Sequence, residues 1–188
     1  LASQLVKKNS NWYLICYSYF KLGMTYDKRD LLDDAIQAWD LSLKNLRKLD
    51  GFHNEIDAVY SHLISAYTRL KKGEKALDLS KSRLLHNQEH PVKINTAKSL
   101  ATMACIQDEL GSNAKAQSNF AKALDLAEND GYVYFNIILA YLDLDNVGKA
   151  HEWFQKGKPF LSERHIQTLQ HGSPKSDAYR TFKKRIDL

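Results

Sequence analysis

Tyr134-Phe135-Asn136-Ile137-Ile138-Leu139-Ala140-Tyr141, followed by Ala150-His151-Glu152-Trp153-Phe154, is the stretch on which the fold turns. Tyr134, Ile137, Ile138 and Tyr141 fall at i, i+3, i+4 and i+7, one face of a helix. Ala150 and Phe154 share the face of a second helix, one turn apart. The polar run Asp143 to Asn146 between them is a turn. The unit is a helical hairpin, with a small residue where the helices meet and an aromatic ring beside it.

Shifted back by 34 residues, the same positions are Leu100, Met103, Ala104 and Gln107, then Ala116 and Phe120. Two more copies lie upstream. Tyr19, Leu22, Gly23 and Tyr26 precede Ala35 and Trp39; Tyr60, Leu63, Ile64 and Tyr67 precede Ala76 and Ser80. The alanines at 35, 76, 116 and 150 give spacings of 41, 40 and 34 residues. Spacing inside each copy holds, so the extra residues fall between copies. Asp27 to Asp30, Lys71-Lys72-Gly73 and Gly111-Ser112-Asn113 read as the other hairpin turns, and Asn129-Asp130-Gly131 as a turn between copies. Pro91 suits the start of the third copy's first helix. One such hairpin cannot bury its apolar stripe alone, so neighbours must stack.

The pattern of aromatic, Leu-Gly, Tyr, then Ala, Phe and Ala resembles the tetratricopeptide repeat (TPR) family over residues 12–164. The first copy carries Leu22-Gly23 and Tyr26, and the third Leu110-Gly111, Ala116, Phe120 and Ala123. The second departs with Ser80 and Arg83, and the fourth with Gly157 at its last small position. The resemblance implies an all-α, right-handed superhelical stack of antiparallel helix hairpins, a TPR-like α-solenoid. Residues 1–10 read as the tail of a preceding helix and 11–164 as four hairpins, about 12–49, 52–90, 91–130 and 131–161. Residues 162–188 read as a degenerate closing hairpin or exit helix. There Ser162 is placed to cap a short helix ending at Gly172, and Ser173-Pro174 to open the next. Ala178 and Phe182 keep the four-residue spacing.

The 188 residues include only three prolines and eight glycines, as a helical chain requires. No apolar run approaches the ~20 residues that span a bilayer, and the first residues lack the apolar core of a signal peptide. Cys16 and Cys105 sit two repeats apart, so free thiols and a reducing, cytoplasmic setting are expected. The net charge of +5 is mildly basic and spread out, apart from Arg180, Lys183, Lys184 and Arg185.

Catalytic constellations are missing from the sequence: it shows no nucleophile elbow, phosphate loop or paired-cysteine site. His86-Asn87-Gln88-Glu89-His90 matches H-x-x-E-H, a zinc pattern of metalloproteases. That chemistry needs both histidines on one helical face, a further carboxylate and a stable helix. Pro91 follows at once, so the segment reads as a fraying helix end and polar linker, and neither metal nor cofactor is expected.

In the family, the first helix of each hairpin lines a concave groove. Carried over by position, this gives Tyr17, Phe20, Met24 and Asp27 in the first copy. The second supplies Ser61, His62, Ser65, Thr68 and Arg69, and the third Lys98, Ala101, Thr102, Cys105 and Asp108. The fourth supplies Tyr132, Phe135, Asn136, Leu139 and Asp143. Phe20 and Phe135 fit either groove anchors or contacts with a neighbouring hairpin. Chaperone-tail members of the family grip a C-terminal carboxylate with Lys and Asn pairs. Of the matching positions here, Phe20, Met24, His62, Lys98 and Thr102, only Lys98 agrees, so that clamp is not expected.

The resemblance implies a non-catalytic module that binds a peptide or protein segment, as a scaffold or as the regulatory part of a bacterial signalling protein with a flanking output domain. The alternative is an RNA-binding helical array that uses the basic surplus and stacks bases on Tyr17 and Tyr132. The carboxylates Asp27, Asp108 and Asp143 in the groove set argue against nucleic acid.

Overall fold

The computed structural model describes residues 2–171 and 177–186, with side chains for 11–170 and 177–186. Among the described residues there are ten α-helices and no strand. They are α1 (Ala2–Lys28), α2 (Leu32–Leu46), α3 (His53–Arg69), α4 (Gly73–Glu89), α5 (Lys93–Glu109), α6 (Asn113–Leu126), α7 (Gly131–Asp143), α8 (Val147–Gly157), α9 (Glu163–His171) and α10 (Asp177–Ile186). The helices pack as consecutive pairs. Residues 2–10 run directly into the first hairpin as part of α1. Among the described residues no helix is long and apolar enough to cross a membrane. Gly172, Ser173 and Pro174, expected to end one helix and open the next, lie outside the described residues.

The same turn closes each of the four hairpins. The residue five before the shared alanine has positive φ: Asp30, Lys71, Gly111 and Asp145, at 60°, 57°, 78° and 59°. The next amide then reaches back across the helix end. Leu31, Lys72, Ser112 and Asn146 donate to the carbonyls of Tyr26, Tyr67, Gln107 and Tyr141 at 2.7–3.0 Å. This left-handed cap satisfies carbonyls that the helix leaves open. Only the third copy places glycine there, which has no Cβ and so adopts the left-handed state without steric penalty. The alanines at 35, 76, 116 and 150 are at most 1% exposed.

The chain divides into two compact units, Leu1–Ala66 and Tyr67–Leu188. In the first, α1 and α2 meet where Gly23 faces the Trp39 indole, so closely that a Cβ on Gly23 would overlap the ring. The indole N–H donates to the Phe20 carbonyl at 3.2 Å and the Ser42 hydroxyl to the Cys16 carbonyl at 2.9 Å, which fixes the register of the pair. His62 of α3 stacks on Trp39 with ring centres 4.9 Å apart.

In the second unit α5 packs on α4, α6 and α7, and α7 packs on α5, α8, α9 and α10. The core holds Ile137, Ile138, Tyr141, Leu142, Phe154 and Phe182, with Phe120 and Trp153 rings 4.7 Å apart at its edge. The second copy's departures are absorbed by polar packing. Ser80 is buried and donates to the Ala76 carbonyl at 2.8 Å, and Arg83 is buried beside it on α4. Asn87, also buried, donates to the Ser99 hydroxyl at 2.9 Å and the Asn95 carbonyl at 3.3 Å. Two boundaries differ from expectation. α4 continues through His86 to Glu89 and does not fray, and α5 begins at Lys93, two residues after Pro91. Asn87 accounts for the first difference by tying the last turn of α4 to α5.

Gly23→Val should destabilise the fold by about 1–3 kcal/mol, because the indole cannot retreat without opening the hairpin. Gly148→Ala, with nothing nearer than 3.8 Å to the new methyl, should be neutral or stabilise by up to about 1 kcal/mol. Urea denaturation of both variants checks the pair; equal effects would show that the helices do not meet at Gly23.

Candidate binding face

The inner-face positions fare differently in the two units. In the first, Tyr17 is exposed, and Phe20, Met24, Asp27, Ser61, His62 and Ser65 are half-buried. Tyr17 and Phe20 border a cavity of about 250 Å³, together with Tyr13, Cys16, Ser42, Leu46, Glu55, Ala58 and Val59. Aromatic and aliphatic carbon makes most of the wall, and Glu55 is its single charged residue. Tyr13 is held by stacking on Phe52, ring centres 4.9 Å apart. Phe20 is held edge-on against His62 at 5.3 Å. Burial pushes the Cys16 thiol up from its ordinary range, so it lines the cavity as a neutral apolar group.

Tyr13, Glu55 and Ala58 were not among the expected groove residues. The signal was present. Tyr13 lies one turn before Tyr17, and Glu55 and Ala58 continue the helical face of His62 and Ser65 backwards.

In the second unit the structure corrects several expectations. Thr68, Ala101, Cys105 and Asp143 are buried and present nothing to a partner. Asp143 accepts a 3.0 Å hydrogen bond from the Tyr179 hydroxyl of α10. Thr102 donates to the Lys98 carbonyl at 2.9 Å and Asn136 to the Tyr132 carbonyl at 2.8 Å, bonds to their own helices. Arg69, Lys98 and Leu139 are half-buried. Phe135 and Tyr132 already have an aromatic partner. The buried His165 of α9 stacks on Phe135 at 4.9 Å and stands edge-on to Tyr132 at 4.5 Å. Its Nδ1 accepts from the Ser162 amide at 3.3 Å, and its own amide donates to the Ser162 hydroxyl at 3.3 Å, a reciprocal cap. Burial holds the imidazole below its ordinary range, only partly opposed by Asp130.

Asp108 is likewise engaged. It accepts a 2.5 Å bond from the Tyr141 hydroxyl and an ion pair from Lys149. Burial works against its ionisation, but Lys149 and Tyr141 outweigh it and hold the carboxyl below the usual range.

Comparison with solved structures settles the fold. The apo form of RapI superposes with a TM-score of 0.65 at 17% identity, covering 93% of this chain and 52% of that one. Aspartyl phosphate phosphatase F from Bacillus subtilis gives 0.63 at 14% identity, covering 93% and 50%. A Podosopora anserina kinesin light chain of nearly identical TPR-like repeats gives 0.53 at 15%, covering 91% and 88%. The fold is TPR-like. No family model and no curated protein matches the sequence. The chain spans about half the length of RapI and of the phosphatase. At these identities the likeness concerns TPR-like architecture alone.

Within that architecture Asp108 joins the third hairpin to the fourth, which makes it a pH-sensitive fastener. Its folded-state pKa is lowered, so its contribution is complete above the ordinary aspartate range and lost as pH falls through the lowered value. Asp108→Asn should therefore cost about 1–3 kcal/mol at neutral pH. The gap to the parent should narrow below about pH 4. Melting curves at several pH values check this; a constant gap would remove Asp108 from the ionised network.

Proposed function

We propose that this chain is a non-catalytic repeat module that binds a peptide or protein segment along its inner helical face. It would act as a scaffold or as the regulatory part of a larger signalling protein. The observation that carries this reading is the cavity in the first unit: an apolar, aromatic-walled space of about 250 Å³ lined by α1, α2 and α3, of which α1 and α3 are first helices of their hairpins. That volume is below the ~300 Å³ at which drug-sized sites begin, and suits one side chain of a longer ligand. Tyr17, at 44% exposed, supplies the rim. Large aromatic residues at a desolvated pocket are where binding energy concentrates.

The inner-face set offers a partner Tyr17, Phe20, Met24, Ser61, His62 and Ser65 in the first unit. In the second it offers Arg69, Lys98, Thr102 and Leu139. Tyr132, edge-on to His165 but 48% exposed, remains available, whereas Phe135, Asn136 and Asp108 contribute less, because their rings or polar atoms are already engaged within the chain. RapI and the Bacillus subtilis phosphatase support the TPR-like fold that this reading requires, and not the role. A flanking output domain belongs to the same reading.

Tyr17→Ala with Phe20→Ala should reduce capture of binders from a displayed random-peptide library by at least about tenfold, with helicity retained and the melting temperature lowered only as far as the loss of the Phe20–His62 contact requires. Phe135→Ala should instead lower the melting temperature, because His165 loses its stacking partner, and change capture little. Undiminished capture by the double variant would remove the cavity from the binding site.

A further inference from the structure

The turn His86-Asn87-Gln88-Glu89-His90 bears on more than peptide binding. It is an intact helix end: the His90 amide donates to the His86 carbonyl at 3.1 Å. His90 is the cap residue just past Glu89, and its four-residue separation from His86 across this last turn brings the two imidazoles side by side. The ring centres lie 5.1 Å apart, and one nitrogen of each ring lies within 4.8 Å of the other. Two nitrogens on a tetrahedral ion at ~2.0–2.1 Å stand about 3.4 Å apart. The pair therefore has to close by no more than about 1.5 Å, which rotation about the side-chain bonds supplies without moving backbone.

The turn is also held from below. Asn87, between the histidines, is buried and bonded to Ser99 and Asn95, and its carbonyl accepts from the Thr96 hydroxyl at 3.1 Å. Such support fixes the direction in which the flanking residues project. The partial negative charge of a helix C-terminus favours a cation there as well.

We propose that His86 and His90 form a two-imidazole chelate for a divalent transition metal, the class that includes zinc, nickel and copper. Imidazole nitrogen suits these ions, whereas magnesium and calcium prefer oxygen. Two protein ligands leave further positions for water or another donor. The chelate staples the last turn of α4 and is independent of the peptide-binding reading.

The test uses the whole chain, freed of metal by a chelator and titrated with zinc chloride in a calorimeter. One saturable site is expected. His86→Gln and His90→Gln should each weaken it by at least about tenfold, and the double variant should add little, because either loss ends chelation. His151→Gln should leave binding unchanged. Zinc should raise the melting temperature of the parent and not that of the two single variants, whose metal-free melting should match the parent. Binding no tighter than about 1 mM, or equal in parent and variants, would overturn the chelate and mark an adventitious ion only.

Discussion

At the elbow of each hairpin the chain reverses through one residue at positive φ, and five residues later stands an alanine with almost no exposed surface. These two features work together. The left-handed residue turns the chain tightly enough to bring the second helix back at once, and the missing bulk at the alanine lets it lie close. An α-carbon with a large side chain at that point would hold the axes apart beyond the usual 8–10 Å. It would also strip the neighbouring rings of their contacts. Asp30, Lys71 and Asp145 adopt the left-handed state although only glycine does so without strain. That three non-glycine residues are held there shows that packing along the hairpin outweighs the local backbone preference.

Stacking between hairpins uses two different materials. Around α7 it is mainly apolar, with Ile137, Ile138 and Leu142 buried, and polar fasteners at the edge: Asp108 with Tyr141 and Lys149, and Asn146 with Glu109 at 3.1 Å. Between α4 and α5 it is polar at the centre, through Asn87, Asn95 and Ser99. A buried amide with its partners in place costs little, whereas a displaced one is left unsatisfied in a dry interface. The polar seam therefore specifies register more sharply than a greasy one does.

The hairpins were legible in the sequence because their causes are local. A period of 3.6, a small residue at a fixed offset and a polar run between helices all lie within 34 residues of one another. What escaped depends on residues distant in the chain. Phe135 read equally as groove anchor or core until His165, thirty positions later, appeared against its ring. Asp108 read as an open groove carboxylate, yet Lys149 is drawn onto it from another hairpin. The segment His86–His90 is a helix end, as the adjacent Pro91 suggested, but the helix runs on to Glu89 and only His90, its cap, leaves the helical conformation. Proline disfavours helix for its immediate predecessor, here His90, and the buried anchor at Asn87 holds the turn before it. Tyr13, Glu55 and Ala58 were legible and overlooked, since the face they continue was followed forwards only.

The inner face is therefore unequal in what it can give a partner. An aromatic ring contributes to binding when association removes it from water. Phe135 has largely made that transfer against His165, and a ligand reaching the covered side of its ring would first have to displace α9 and its Ser162 cap, whereas Tyr132 meets His165 only edge-on and keeps 48% of its surface exposed. Tyr17 and Phe20 flank unfilled volume, so a side chain entering it gains burial without breaking an existing contact. Equivalent repeat positions thus carry unequal energetic weight, and the difference comes from what the chain has already done with its own surface.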